Sequence, residues 1–173
     1  MSVYLVRDMA IKLVAQLDFL DMPEEKRIDL MHEILSYNEI EYDENLTDPV
    51  YSNEVISVIE ERYRGVRNQF IAAVITKRLQ LAYSITIEGI PDDLYACPCC
   101  QYKTLTSRGD YDICDMCSWE DDGNDDLMHY SGPNHMLLKE GRANFLTYGS
   151  MYPSSKTVKL AFSEIDKYEK KSY

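Results

Sequence analysis

Several things are scarce in this sequence. Its 173 residues include 7 Gly, 6 Pro, 3 His and a single Trp. No stretch approaches the roughly 18 consecutive apolar residues of a membrane span. With 45% hydrophobic and 28% charged residues, so little Gly and Pro excludes collagen-like and low-complexity architectures and predicts a soluble globular protein. Positive charge is also in short supply: 18 Lys and Arg stand against 30 Asp and Glu, a formal net charge of −12. Such a chain is not expected to hold nucleic acid or an anionic membrane by bulk charge, and a charged partner would be basic. The length suits one compact domain or a domain with a small satellite, and leaves no room for a second full-size catalytic domain. Arg7, Asp8, Lys12 and Asp18 interrupt the apolar positions of residues 1–20, so no secretory signal is expected there and the expected location is the cytoplasm.

The fold class expected is α+β, with a helical half over residues 1–90 and a second half over 91–173. Val3, Val6, Met9, Ala10, Leu13, Val14 and Leu17 recur at helical spacing and predict an amphipathic opening helix. Asp21, Pro23 and Glu24 supply the start signals of a second helix over about 23–37. Residues 38–49 hold five carboxylates without periodicity and read as a loop. From Ser52 or Asn53, the positions Val55, Ile59, Tyr63, Val66, Phe70, Val74 and Ile75 predict the longest helix, running to about Leu81 with Gly65 as its weak point. Ile85-Thr-Ile87 then leads into Gly89 and Pro91, a break in composition and period that marks the boundary. Beyond it, Ser131-Gly-Pro-Asn134 predicts a turn into a helix over 135–148. Val158, Leu160 and Phe162 alternate like a strand, and 163–173 reads as a short helix or a fraying end. The apolar helix faces suffice for one core or for a dimer seam, so the oligomeric state stays open.

All five cysteines fall between Cys97 and Cys117, unlike a disulfide framework spread over a secreted domain. Cys97-Pro-Cys-Cys100 and Cys114-Asp-Met-Cys117 each contain a Cys-x-x-Cys step, and 13 residues separate the steps. A two-residue gap lets both thiolates of a tight turn reach one ion, and about a dozen residues suffice to bring the second pair back and complete a tetrahedron. Tyr102, Thr104 and Leu105 on one side of Arg108-Gly109, with Tyr111 and Ile113 on the other, suit two strands joined by a turn. The expectation is a zinc ribbon with Cys97, Cys100, Cys114 and Cys117 holding one structural Zn2+; four thiolates leave no position for an activated water. A buried thiol cluster or a redox pair is the competing reading. Cys99 could replace Cys97 or Cys100, though regular spacing favours the outer pair. His129 and His135 flank a nearby turn and could substitute as ligands, but ordinary hydrogen bonding suits them better.

The order Cys97-Pro-Cys-Cys100, Tyr102, Thr104-Leu105, Arg108-Gly109, Tyr111, Ile113-Cys114, Cys117, Trp119-Glu-Asp-Asp-Gly123, Ser131-Gly-Pro-Asn134, Arg142 and Asn144-Phe145 resembles the cysteine-rich CPCC family of bacterial proteins. The helical half, with Tyr63-Arg-Gly-Val and Asn68, is more weakly similar to leaders found before that domain. The resemblance implies a zinc-ribbon-like module of no assigned catalysis, some members of which stand beside bacterial toxins as candidate immunity proteins. Gln101, where the family usually has glycine, and Asp115, where it usually has proline, depart from the pattern at the two knuckle turns.

Negative charge is concentrated in two stretches without Lys or Arg, one between Arg27 and Arg62 and one between Arg108 and Lys139. The second carries Glu120, Asp121, Asp122, Asp125 and Asp126, offered as a partner-binding surface. An acidic, tyrosine-rich face with 14 Tyr in the chain could occlude the basic groove of a cognate protein toxin, for instance a nuclease. The plainer alternative is a solvated face that keeps the protein soluble. Two further functions compete. The carboxylates from Glu120 to Asp126 could bind magnesium or manganese in a metal-dependent hydrolase, although no partnered lysine or histidine stands at nuclease-like spacing, and the chain is not expected to be an enzyme. Arg62, Arg64, Arg67, Lys77 and Arg78 could make a nucleic-acid-binding or regulatory zinc ribbon, although an exposed helix face pairing with acidic loops explains them better.

Overall fold

A computed structural model describes residues 3–37, 51–153 and 166–171. The chain divides into two compact units, Met1–Pro91 and Asp92–Tyr173. Among the described residues, small sheets and five helices make the class α+β. Among the described residues no helix is long and apolar enough to cross a membrane.

The first unit contains β1 (Val3–Val6), α1 (Arg7–Asp21), α2 (Glu24–Tyr37), α3 (Ser52–Arg62), α4 (Asn68–Arg78) and β2 (Ile85–Glu88). Helix α1 packs against α3 and α4, and α2 against α3. Ala10, Val14 and Ala15 of α1 meet Met31 and Leu35 of α2, Val55 and Ile59 of α3, and Ile71 and Ile75 of α4 in one buried core. The opening helix expected from Val3 is corrected: Val3–Val6 is a strand, parallel to Ile85–Glu88 and in register Val3 with Ile85 through Val6 with Glu88. Val-Tyr-Leu-Val suits a strand through its β-branched and aromatic side chains, but its partner lies some eighty positions away, beyond any local period.

The single long helix expected after Ser52 is corrected too. Helix α3 ends at Arg62 and α4 begins at Asn68, with Val66 N–H donating to Tyr63 O in the turn between. Arg7 fixes that break. Its buried guanidinium donates to the carbonyls of Tyr63 at 3.0 Å and Val66 at 2.9 Å, to that of Arg64, and to Asn68 Oδ1. Asn68 in turn donates through Nδ2 to the Ile87 and Gly89 carbonyls, at 3.2 and 2.8 Å. Carbonyls left over where α3 stops thus point at a fixed cation, which suits the negative end of a helix. Gly89 lies so close that a Cβ there would stand 2.9 Å from Arg7 Cβ, at a φ of +123°. Of the basic residues in this region, Arg64 pairs with Glu61 of α3 at 2.8 Å and Arg78 with Asp18 of α1. Tyr63 donates to Asp18 Oδ2 at 2.7 Å, and burial, then that bond, pushes its hydroxyl pKa well above the usual tyrosine value.

The second unit contains β3 (Tyr95–Ala96), β4 (Lys103–Leu105), β5 (Tyr130–Ser131), β6 (Met136–Leu137) and α5 (Leu138–Tyr148). Strands β3 and β4 pair antiparallel around the first cysteine turn, and β5 and β6 pair antiparallel around 132–135. The expected hairpin between Tyr102–Leu105 and Tyr111–Ile113 is corrected: Leu105 pairs back to Tyr95, and Ile113 bridges forward to Glu120. Each cysteine turn is therefore the tip of its own hairpin. Helix α5 starts at Leu138, not His135, because Met136 and Leu137 are taken by the β5 ladder and His135 has a φ of +53°. It stops at Gly149, left-handed at +75°, whose N–H donates to Phe145 O. The expected 38–49 loop and the strand around Val158–Phe162 lie outside the described residues. Residues 166–167 turn and bend and Lys170 bridges Tyr102, so that 166–171 are neither the short helix nor the frayed end expected of the tail.

Replacing Arg7 by Met is expected to destabilise the first unit by about 2–4 kcal/mol in urea unfolding, since it removes at once the donor shared by three carbonyls and Asn68 Oδ1. Arg7→Lys should recover only part of this, because a point-like ammonium cannot span the fork of acceptors.

Candidate metal centre

The second unit is organised around the Cys-x-x-Cys turns, which repeat one another bond for bond. Cys97 N–H donates to Tyr102 O at 2.9 Å and Gln101 N–H to Cys97 O at 2.9 Å; Cys114 N–H donates to Trp119 O and Ser118 N–H to Cys114 O, both at 2.8 Å. The residue after each turn is left-handed, Gln101 at +68° and Ser118 at +65°. This knuckle geometry turns both sulfurs of a pair to one side.

The Sγ atoms of Cys97, Cys100, Cys114 and Cys117 all lie within 4.8 Å of one another, and all four residues are buried. Cys97 and Cys117 sulfurs are 3.6 Å apart, Cys100 and Cys114 sulfurs 3.5 Å. A tetrahedral ion with thiolates about 2.3 Å away would separate its sulfurs by about 3.8 Å, whereas a disulfide would bring them to about 2 Å. All five cysteines are free thiols. The donor set therefore fits a metal ion and not a disulfide pair. Thr104 Oγ1 donates to Cys114 Sγ at 3.0 Å, and Met116 N–H approaches the same sulfur at 3.4 Å, outer contacts that orient a thiolate and offset its charge. Contact with Cys100, then with Cys117 and Cys97, drives the Cys114 thiol pKa far down; contact with Cys114 drives Cys100 far up against an opposing effect of Cys117, and contacts with Cys100, Cys114 and Cys97 drive Cys117 far up. Four sulfurs this close can share full thiolate charge only around a cation.

Cys99 is outside the tetrad. It is buried against α5, where a Cβ on Gly141 would stand 3.3 Å from its sulfur and 2.7 Å from Trp119 Cζ3. Trp119 is fully buried against the same helix, and Arg142 Nε reaches back from α5 to the Pro98 carbonyl at 2.8 Å. A glycine inside a helix, ordinarily a weakness, here admits an indole and a thiol.

The carboxylates offered as a partner surface separate into two groups. Asp121 is fully buried: its Oδ2 accepts from Arg108 Nε at 2.7 Å and Gly109 N–H at 2.9 Å, which corrects its assignment to a docking face. Asp122 is only 10% exposed in its side chain and sits 3.2 Å from His129 Nε2. Burial opposes its charge, but bonds from Ser131, the Asn124 N–H and His129 outweigh that and hold its pKa below the usual carboxylate range. The main-chain N–H and C=O of half-buried Glu120 are both taken by the Asn134 amide, whose Nδ2 also donates to Ser131 Oγ. Asp125 and Asp126 are exposed, Asp125 paired to Arg108 at 2.8 Å and Asp126 accepting from Met128 N–H. No second group of metal-ligating side chains comes together among the described residues. His129 and His135 join no ligand cluster.

Three outcomes follow. Cys97→Ser or Cys114→Ser should lower bound metal to below about half an equivalent by elemental analysis, while Cys99→Ser keeps the full complement. Gly141→Ala should cost about 1–3 kcal/mol in urea unfolding, because the clash with Trp119 exceeds the gain of about 1 kcal/mol in helix propensity. The folded Asp122 has a depressed pKa, so its stabilisation is complete above its unfolded value of 3.8 and fades as pH falls through the lower folded one. Asp122→Asn should accordingly flatten the acid limb of a stability–pH profile.

Residues 95–163 match the family model described as cysteine-rich CPCC. No curated protein and no solved structure matches the chain. The segment built around the four-cysteine cluster is thus the part of the chain that matches the cysteine-rich CPCC family.

Proposed function

We propose that the chain is a zinc-held protein-binding module, and that it works as an immunity protein that neutralises a basic toxin by covering its active site. Zinc is the ion assigned because four thiolates at tetrahedral spacing suit a soft-accepting, redox-silent divalent ion. With every position taken by sulfur, the ion has no open site for water and its role is structural. The module is read as a binder without turnover: Asp121, which a carboxylate hydrolase would need exposed, is committed to Arg108 and the Gly109 N–H.

The observation that carries the reading is the character of the surface from Asp110 to Tyr130. Asp110, Asp125 and Asp126 are exposed there together with Tyr111, Met128 and Tyr130, and no Lys or Arg falls between Arg108 and Lys139. Exposed aromatic and thioether side chains among carboxylates offer contact area and complementary charge to a cationic groove. A phosphate-binding nuclease toxin has such a groove, which makes it the preferred partner class and makes nucleic acid itself a poor one. Reduced, metal-binding cysteines agree with a cytoplasmic protein.

Stopped-flow association with the secreted toxin encoded by the neighbouring open reading frame tests this. The on-rate should fall about tenfold or more between low and high ionic strength, and Asp110→Asn with Asp126→Asn should slow it at low salt while leaving zinc bound. An isolated locus, or an on-rate indifferent to salt and to these substitutions, refutes the proposal.

A further inference from the structure

Residues 166–171 lie against both knuckles. Lys103 N–H donates to Glu169 O at 2.8 Å, Lys171 N–H donates to Gln101 O at 2.9 Å, and Tyr102 and Lys170 form an antiparallel bridge. The segment therefore pairs through one antiparallel bridge with Tyr102, just before β4 and immediately after the first cysteine pair. Its side chains reach further. Tyr168, 3% exposed, donates its hydroxyl to Asp115 Oδ2 at 2.7 Å, inside the second cysteine turn. Lys170 Nζ stands 5.4 Å from the centre of the Tyr102 ring, and Tyr102 meets Phe145 edge to face. Glu169 accepts an ion pair from Lys103.

Gln101 and Asp115 belong to different hairpins, joined through the sulfur cluster. A short segment that bonds to both needs them at a fixed spacing, and an ion shared by the two cysteine pairs sets that spacing. We infer that residues 166–171 form a strap that docks only when one metal ion holds both knuckles, so that metal loading controls whether this end of the chain is seated or free. By linkage, a seated strap tightens metal binding by the factor with which the metal favours seating. The strap could thereby report or gate the metal state of the module to anything that reads the C-terminal segment.

The inference rests on the reading that the tetrad holds zinc, and the test separates the two. Full-length wild type, Tyr168→Phe and Asp115→Ala are loaded with zinc, and three quantities are measured: zinc content, hydrogen exchange of the peptide covering 166–171, and zinc affinity by competition with a chromophoric chelator. All three proteins should carry one equivalent of zinc. Each variant should show exchange in the strap about three- to tenfold faster and zinc binding weaker by a similar factor, as loss of one hydrogen bond to a carboxylate would give. The double variant should be no worse than either single, because both remove the same bond. Tyr168→Phe retains the buried ring and Asp115 is exposed, so neither change empties the core. Zinc bound in all proteins with unchanged affinity in the variants overturns the strap, as does unaltered exchange at 166–171. A wild type that binds no zinc overturns the metal reading itself, and the strap with it.

Discussion

Convergence of two thiol pairs on one point is the constraint from which the second unit follows. Its strands are two or three residues long, far below what an isolated hairpin needs to hold together in water. Its buried apolar side chains are few, and the cysteines themselves account for much of the interior. A fold of that kind needs a crosslink, and a metal tetrad is the one that free, mutually close thiols can make. Other features are consequences. Each knuckle demands a left-handed residue behind it, each hairpin is short because its tip is tethered, and α5 closes over the cluster with a glycine where Trp119 and Cys99 must enter.

What the sequence discloses depends on how local the cause is. Cysteine pairs at two-residue spacing name four sulfurs because the knuckle is a local turn whose geometry its own residues dictate. Helix α2 is legible for the same reason from Pro23 and Glu24 at its start, although Asp21, read as its cap, is the last residue of α1. The strand at Val3–Val6 is not, since its three-to-four spacing of apolar residues imitates a helix and its true partner is β2. Nor is the break between α3 and α4: Gly65 hints at weakness, but the residue that fixes the turn is Arg7, buried at the opposite end of the unit's sequence. In the ribbon, strand-like segments are visible on both sides of Arg108-Gly109, yet alternation carries no information about which one each pairs with.

The acidic stretch illustrates a different limit. Five carboxylates in seven residues look equivalent in composition, and the fold makes them unlike. Asp121 neutralises Arg108 and anchors the loop where Gly109 and Gly123 approach so closely that a Cβ on Gly123 would stand 3.1 Å from Gly109 Cα. Asp122 gathers Ser131, His129 and the Asn124 N–H, and Asn134 serves Glu120 as a surrogate strand. Asp125 and Asp126 reach the surface. Charge that reads as a patch is thus in part a polar interior, which a small unit built around a cysteine tetrad uses in place of apolar packing.

That substitution bears on function. Where an ion and buried hydrogen bonds hold a fold, large side chains are released from core duty, and Tyr111, Ile113, Met128 and Tyr130 are each more than half exposed. An apolar surface of that kind in a domain stabilised by its own core would carry a folding cost and an aggregation hazard. Here exposed Asp110, Asp125 and Asp126 stand in the same stretch of chain as those side chains. Gln101 and Asp115, one at each of the two knuckle turns, fit this economy. Gln101 accepts the strain of a left-handed turn, but its side chain donates to Pro98 O and its carbonyl receives Lys171, while Asp115 receives Tyr168. Asp115 thus fastens residues 166–171 through its side chain, whereas Gln101 does so through its main chain.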